Sequence, residues 1–329
     1  MTIPLLSVKD LMIEFPTRHG PLTAINGVNF DLAEGEILGV VGESGAGKSL
    51  TGSAIMGLLD PPGRIASGEI WLKGERIDNL PNETLSAIRG KRIGMVFQDP
   101  LTSLNPLYTI EKQLIETIRT HLRVSESDAR KRAIGLLDDV GIPAAARRID
   151  DYPHQFSGGM RQRVVIALAL AAEPELVIAD EPTTALDVSV QAQIIDVLKE
   201  QCTERGASII LITHDMGVIA ETADRVAVMY SGRIAEIGPV KEIIQNAMHP
   251  YTKGLMGSIP TLAHNEDRLT QIPGSMPRLS DIPSGCAFNP RCDRVFEKCR
   301  SDKPDLIAMG KREVSCWLYD ETVSAGSKK

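Results

Sequence analysis

Residues 36–49 read Glu36-Ile37-Leu38-Gly39-Val40-Val41-Gly42-Glu43-Ser44-Gly45-Ala46-Gly47-Lys48-Ser49. The run from Glu36 to Val41 is nearly all apolar, as expected of a strand covered on both faces in a parallel sheet. A glycine-rich turn, Gly42 to Gly47, follows it, and a helix pattern starts near Lys48. Every fixed position of G-x-x-x-x-G-K-S/T is filled, in the strand, turn and helix order that a phosphate loop requires. Glycines let backbone N–H groups converge on phosphate oxygens, and the helix N-terminus adds partial positive charge. Lys48 is placed to reach the terminal phosphates, and Ser49 offers a hydroxyl to Mg²⁺. The expected fold is therefore α/β, built around a phosphate-loop core.

Upstream, LSVKDLMIEF and AINGVNFDL alternate over residues 5–32 and flank a polar turn, Pro16 to Gly20, which reads as an antiparallel β subdomain. Downstream, about 82–172 is mainly helical, with amphipathic stretches at Glu111–Leu122 and Ser127–Val140; it reads as a helical subdomain inserted into the core. Two more buried strands are expected, LVIAD at 176–180 and SIILITHD at 208–215, with a helix around Val190–Glu200. That order makes a βαβ crossover. VAVMY and RIAEIG, after Arg225, suggest short edge strands. Beyond Gly254 come prolines at 260, 273, 277, 283, 290 and 304 and four cysteines, a tail poor in regular structure that needs another source of order. The expected division is 1–255 and 256–329.

The chain has 329 residues, 43% hydrophobic and 24% charged, a globular balance. Its net charge of −7 argues against a nucleic-acid partner, whose phosphates favour a basic face. No apolar run approaches the roughly 18 residues needed to cross a bilayer; Val164–Ala172 stops at Glu173-Pro174. MTIPLLSVKD lacks the basic and apolar regions of a secretory signal, so a cytoplasmic location is expected.

Asp180 and Glu181 close the LVIAD run, where the edge of a parallel sheet receives ligands. Asp180 suits the Mg²⁺ shell and Glu181 the polarisation of an attacking water, although a solvated strand end carries the same residues. Phe156-Ser157-Gly158-Gly159-Met160-Arg161-Gln162-Arg163 precedes the run VVIALALAA. Ser157 reads as an N-cap, and the glycines open a second anion site at a helix N-terminus or form a plain cap.

With these residues the sequence resembles the nucleotide-binding subunits of ABC transporters over about 5–255. The ordered set is the phosphate loop, Gln98 in VFQDP, the Ser-Gly-Gly signature, Asp180-Glu181, Ala185-Leu186-Asp187 and His214 in ITHD. The resemblance implies that Ser44, Gly45, Ala46 and Thr51 join Gly42, Gly47, Lys48 and Ser49 around ATP. Gln98 would sense the metal or water and face the transmembrane subunit, with the segment 99–107 in the groove that receives it. Asp187 would lie on the loop crossing a dimer, and His214 would contact the γ-phosphate. Phe15 is either the aromatic for the adenine or a core residue. Phe156 and Met160 depart from the commonest signature, Leu-Ser-Gly-Gly-Gln, while Ser157, Gly158 and Gly159 remain to face the γ-phosphate on a partner's phosphate loop.

FQDPLTSLNP (97–106), ADEPTTALDV (179–188), HPYTKGL (249–255) and CAFNPRC (286–292) are similar to the peptide and nickel importers, most of all the dipeptide type. The resemblance implies an ATPase that powers import of di- or oligopeptides, from the cytoplasmic face of the inner membrane. Its partners would be a second ATPase, preferably a paralogue in a heterodimer, two permease subunits and an extracytoplasmic peptide-binding protein. Nickel or metal-chelate import is the alternative, and a soluble ABC protein acting on ribosomes or nucleic acid is the reading from another class.

Cys286, Cys292, Cys299 and Cys316 are separated by five, six and sixteen residues. That spacing is wide for structural zinc, and four thiolates suit iron–sulfur binding. Disulfides disagree with a reducing compartment. Members of the resembled family carry such a cluster, which favours [4Fe–4S] over Zn²⁺ here.

Overall fold

A computed structural model describes residues 3–183, 187–257 and 272–320. Its strands are β1 (Leu6–Thr17), β2 (Gly20–Leu32), β3 (Ile37–Val41), β4 (Arg64–Leu72), β5 (Glu75–Arg76), β6 (Ile93–Val96), β7 (Leu176–Asp180), β8 (Ser208–Ile212), β9 (Arg225–Tyr230), β10 (Arg233–Pro239), β11 (Ile307–Met309) and β12 (Arg312–Val314). The helices are α1 (Lys48–Ile55), α2 (Asn82–Ile88), α3 (Pro100–Ser103), α4 (Ile110–His121), α5 (Glu126–Asp139), α6 (Ala145–Arg148), α7 (Gly158–Leu170), α8 (Val188–Glu204), α9 (Met216–Thr222), α10 (Val240–Asn246), α11 (Pro250–Gly257) and α12 (Glu297–Ser301). Two compact units emerge, one of residues up to 5, 32–37 and 72–212, the other of residues 6–31, 38–71 and 213 onward.

In the first unit β6, β7 and β8 run parallel, with Ile93 opposite Leu176 and Asp180 opposite Ile212. Every residue of β7 and β8 is buried, which is why LVIAD and SIILI show no alternation. The helices α4, α5 and α7 pack on one another. Thr109 and Ser125 start α4 and α5 by accepting the backbone N–H groups of Lys112 and Asp128, a capping that satisfies donors the helix itself cannot. Within the stretch expected to be helical, Ile93–Val96 is instead a core strand beside β7. A four-residue apolar run carries no period long enough to separate strand from helix.

In the second unit a two-residue connection, Arg18-His19, joins β1 to β2, tighter than the expected Pro16–Gly20 turn. Thr17 Oγ1 donates to Gly20 O at 2.6 Å and accepts the His19 N–H at 3.2 Å. The strand β3 lies parallel to β9, and β9 is antiparallel to β10. The expectation that VAVMY and RIAEIG are edge strands is corrected. β9 is paired on both sides, and β12 adds to β10 with Glu236 opposite Val314. The hairpin β11–β12 comes from the tail. Val314 and Cys316 pack with Met248, Met309 and Tyr319, so the extension shares the core of this unit. Three-residue strands flanked by prolines and charges give too weak an alternation to be read beforehand.

Candidate functional site

The loop after β3 is shaped by its glycines. Gly42 has φ +152°, and a Cβ there would stand 2.2 Å from Met229 O. Gly47 has φ +102° as the residue before α1, and a Cβ would meet Ile25 Cδ1 at 2.4 Å. Neither position accepts another residue without moving backbone or core. No side chain caps α1 at Gly47, and a helix N-terminus entered through a glycine turn is the arrangement that holds phosphate. Lys48 is 5% exposed, and its ammonium donates to Gly42 O at 2.9 Å and to Glu43 O at 3.2 Å. The cation is therefore folded along the loop it is expected to serve. Ser44, Gly45 and Ser49 are exposed and Ala46 is buried. Thr51 Oγ1 donates to Gly47 O at 3.0 Å, a bond that holds the first turn of the helix.

His214 is exposed beyond β8. The next residue, Asp215, is the one sequence reading passed over: its carboxylate accepts the N–H groups of Gly217 at 2.8 Å and Val218 at 3.3 Å. It caps α9 and fixes the turn that carries His214. Phe15 is half-buried against Gly63, where a Cβ would meet its ring at 2.8 Å.

In the first unit Gln98 Nε2 donates to Glu181 Oε2 at 3.0 Å, although the residues are 83 positions apart. Glu181 is a non-glycine residue at φ +45°, and its N–H donates to Ile212 O at 2.8 Å. A carboxylate held in this sparsely populated conformation at a strand end is a mark of functional constraint. Asp180 is buried as the last residue of β7. A buried acid and a more exposed one thus stand side by side.

Ser157 caps α7, its hydroxyl accepting the Met160 N–H at 3.4 Å. Gly159 passes close to α8, where a Cβ would meet Val190 Cγ1 at 2.8 Å. Phe156 is buried beneath the Arg148 guanidinium, 4.8 Å from its ring, so the first departure from the common signature fills a core position. Arg161 and Arg163 donate to Pro153 O at 2.8 Å and Val140 O at 2.6 Å. Asp187 is exposed and precedes α8 without capping it through its side chain; Ala185 and Leu186 lie outside the described residues. Between Gln98 and α4, Leu101 and Leu107 are 62% and 79% exposed.

The four extension cysteines line one cavity together with Phe288, Trp317 and Leu318. All are free thiols, which removes disulfides among them. Burial pushes the Cys286 and Cys316 thiols up to about 11, with the neighbouring cysteines adding to the shift, and it raises Cys292 as well. They are protonated at neutral pH, and a bound cation would have to displace those protons. The expected [4Fe–4S] or Zn²⁺ site is not closed. Among the described residues no group of three or more histidine, cysteine, aspartate or glutamate side chains is arranged to hold a metal ion. Aromatic and aliphatic side chains share the cavity walls with the thiols.

The HPY motif at 249–251 makes bonds that sequence reading did not assign. Glu236 on β10 is fully buried and accepts the N–H groups of Met248 and His249 at 2.9–3.0 Å. His249 Nδ1 accepts the Tyr251 N–H at 3.0 Å, and burial depresses this imidazole to about 4, so it is neutral. The Tyr251 hydroxyl in turn accepts the Glu43 N–H at 2.9 Å.

The ABC transporter profile matches residues 25–184, and that of the oligopeptide/dipeptide transporter C-terminal region matches 235–299. The chain is 49% identical over 318 residues to the dipeptide transport ATP-binding protein DppD of Bacillus subtilis, covering 96% of this chain and 95% of that one. It is 48% identical over 319 residues to the oligopeptide transport ATP-binding protein OppD of Haemophilus influenzae, covering 97% and 98%. Among solved structures, the dimer of MJ0796, a bacterial ABC transporter cassette, superposes with a TM-score of 0.64 at 30% identity, over 71% of this chain and 98% of that one. CbiO1 of Clostridium perfringens, part of the transporter complex cbiONQ, gives 0.63 at 30% identity, over 74% and 91%.

Proposed function

Because this chain belongs to the ATP-binding subunits of ABC transporters, in the oligopeptide and dipeptide branch, we propose a role for each of its site residues in ATP-driven peptide import. The chain is an ATPase and uses ATP with Mg²⁺. The observation that carries the assignment is the uncapped helix α1 behind a loop whose glycines admit no side chain, with Lys48 along it. Gly42, Ser44, Gly45, Ala46, Gly47, Lys48, Ser49 and Thr51 take the phosphates, and Phe15 takes the adenine. Mg²⁺, bound by Ser49, Asp180 and Gln98, would neutralise charge that builds on the phosphates. Glu181 is the base for the attacking water. Its bond from Gln98 orients the carboxylate, and His214 contacts the γ-phosphate. Ser157, Gly158, Gly159 and Asp187 act on the nucleotide of a second ATPase, and a paralogue makes that pair a heterodimer.

As a peptide-importer ATPase the chain is membrane-associated and acts with permease subunits and a substrate-binding protein. Among the described residues no helix is long and apolar enough to cross a membrane. We place it peripherally on the cytoplasmic face, with Leu101 and Leu107, both exposed, against a permease. Affinity purification from detergent-solubilised membranes tests this: two apolar permease chains and a second ATPase should come with the wild type and be lost from a Leu101→Asp/Leu107→Asp variant. Ribosomes or nucleic acid in their place would contradict it.

The division at 255 and 256 is read as an ATPase domain followed by an extension that orders itself on Cys286, Cys292, Cys299 and Cys316. We keep a [4Fe–4S] cluster, with zinc as the alternative, as the proposal for these four thiols because they share one cavity and are free. As they stand they are not arranged to hold a metal ion, so binding would have to draw them together. Anaerobic purification with iron, sulfide and zinc analysis decides it. Four irons and four sulfides are expected per chain, stoichiometric zinc would replace the cluster, and neither would remove the site.

A further inference from the structure

The extension is bonded to the phosphate loop at Glu43. Glu43, the second residue of the loop, is held twice: its N–H donates to Tyr251 Oη at 2.9 Å, and its carboxylate pairs with Arg291 Nη1 at 2.9 Å. Arg291 is 7% exposed in its side chain. Its Nε donates to Pro273 O at 2.8 Å, and its Nη2 lies 3.4 Å from the carbonyls of Ile272 and Gly274. Nη1 also lies 3.4 Å from Tyr230 Oη. This one guanidinium therefore ties the 272–274 backbone, an aromatic residue of β9 and the loop together, using the planar fork that lysine lacks. Tyr230 packs edge-on against Tyr251 and Phe288 with centroids 4.6 and 5.2 Å apart, and Tyr251 and Phe288 are tilted against each other at 5.5 Å, so the anchor is closely packed. Met276 lies beside the loop as well, leaving no room for a side chain at position 45: its Cε would stand 3.0 Å from a Cβ built on Gly45.

We propose that Arg291 and Tyr251 are positioning residues for ATP, holding the phosphate loop open in its binding conformation through Glu43. The proposal rests on the reading of residues 42–49 as the nucleotide site. The physical reason lies in the glycines. A loop with left-handed residues at 42, 45 and 47 has many conformations of similar energy, and most of them do not converge N–H groups on a phosphate. Fixing Glu43 at both its backbone and its side chain removes that freedom before the nucleotide arrives, and preorganisation of this kind is expressed as affinity. The carbonyl of Gly42, in the anchored peptide itself, and that of Glu43, in the next one, are also the ones that accept from Lys48. The same anchor thereby sets where the ammonium stands.

The test uses the full chain with MgATP, and the assembled transporter for turnover. Glu43→Gln removes the charge and keeps the shape, Tyr251→Phe removes one hydroxyl, and Arg291→Ala removes the guanidinium. Each should raise the Kd for ATP by about tenfold or less, the range of a lost charge-assisted or neutral hydrogen bond. The Glu43→Gln/Arg291→Ala double variant should be no weaker than the worse single one, because the two groups act as a unit. In the transporter the change should fall on KM, with kcat within twofold. Lys303→Ala, at an exposed position of the extension, serves as control at the wild-type Kd. A merely structural role lowers the fraction of chains that bind and leaves the Kd of the rest unchanged; that result, strict additivity, or an unaltered Kd in folded Glu43→Gln and Tyr251→Phe overturns the proposal. A wild-type chain that binds no ATP overturns instead the reading on which it rests.

Discussion

At the scale of single residues the account stands on Lys48. Lys48 is 5% exposed and its ammonium is bonded to two loop carbonyls, so the charge is held against the loop before a phosphate arrives. Lys48→Ala is expected to weaken ATP binding at least tenfold, about 1.4 kcal/mol or more; calorimetric titration with an unchanged Kd would refute that role. Most candidate site residues could be proposed from the sequence because the phosphate loop, the Ser-Gly-Gly signature and the Asp-Glu pair are local patterns with a mechanism attached. The Gln98–Glu181 bond joins residues 83 positions apart, so no local pattern could reveal it. Asp215 was missed for another reason: an aspartate after a histidine at a strand end signals a cap only once the following helix is placed.

At the scale of elements, β3, β7 and β8 were readable as continuous apolar runs, and α4 and α5 as amphipathic stretches close to their observed limits. The strand β6 and the hairpin β11–β12 were not, being three or four residues long, and without the latter β10 read as an edge. The helix α11 illustrates how an element can depend on protonation. Its residue Tyr251 donates its N–H to His249 Nδ1, an acceptor that exists only while the imidazole is neutral. The folded chain holds His249 at about 4, below the roughly 6.5 of an unfolded histidine. The stability contributed is therefore full above about pH 6.5 and is lost as pH falls toward 4. A shift of this size corresponds to about 3 kcal/mol. The urea midpoint of the wild type should fall over that window, and the fall should be smaller in His249→Gln, whose amide oxygen still accepts. Equal slopes in the two proteins would show that His249 is not the group responsible.

For the whole molecule, the claim is that ATP hydrolysis at these residues drives peptide import. The two profiles match residues 25–184 and 235–299, and relatives near 49% identity span almost the full chain. In the proposed function, carboxylate chemistry at Glu181 is the point where binding becomes turnover. General-base assistance contributes roughly 10²–10⁴-fold to a rate, whereas an amide of the same shape keeps the position and loses the base. The most direct measurement compares wild type and Glu181→Gln in the complete transporter, reconstituted in vesicles, for ATP affinity, phosphate release and peptide uptake together. The account predicts that the variant binds ATP as the wild type does, loses hydrolysis by about a hundredfold or more and imports no peptide. Hydrolysis and uptake near the wild-type rates would contradict it.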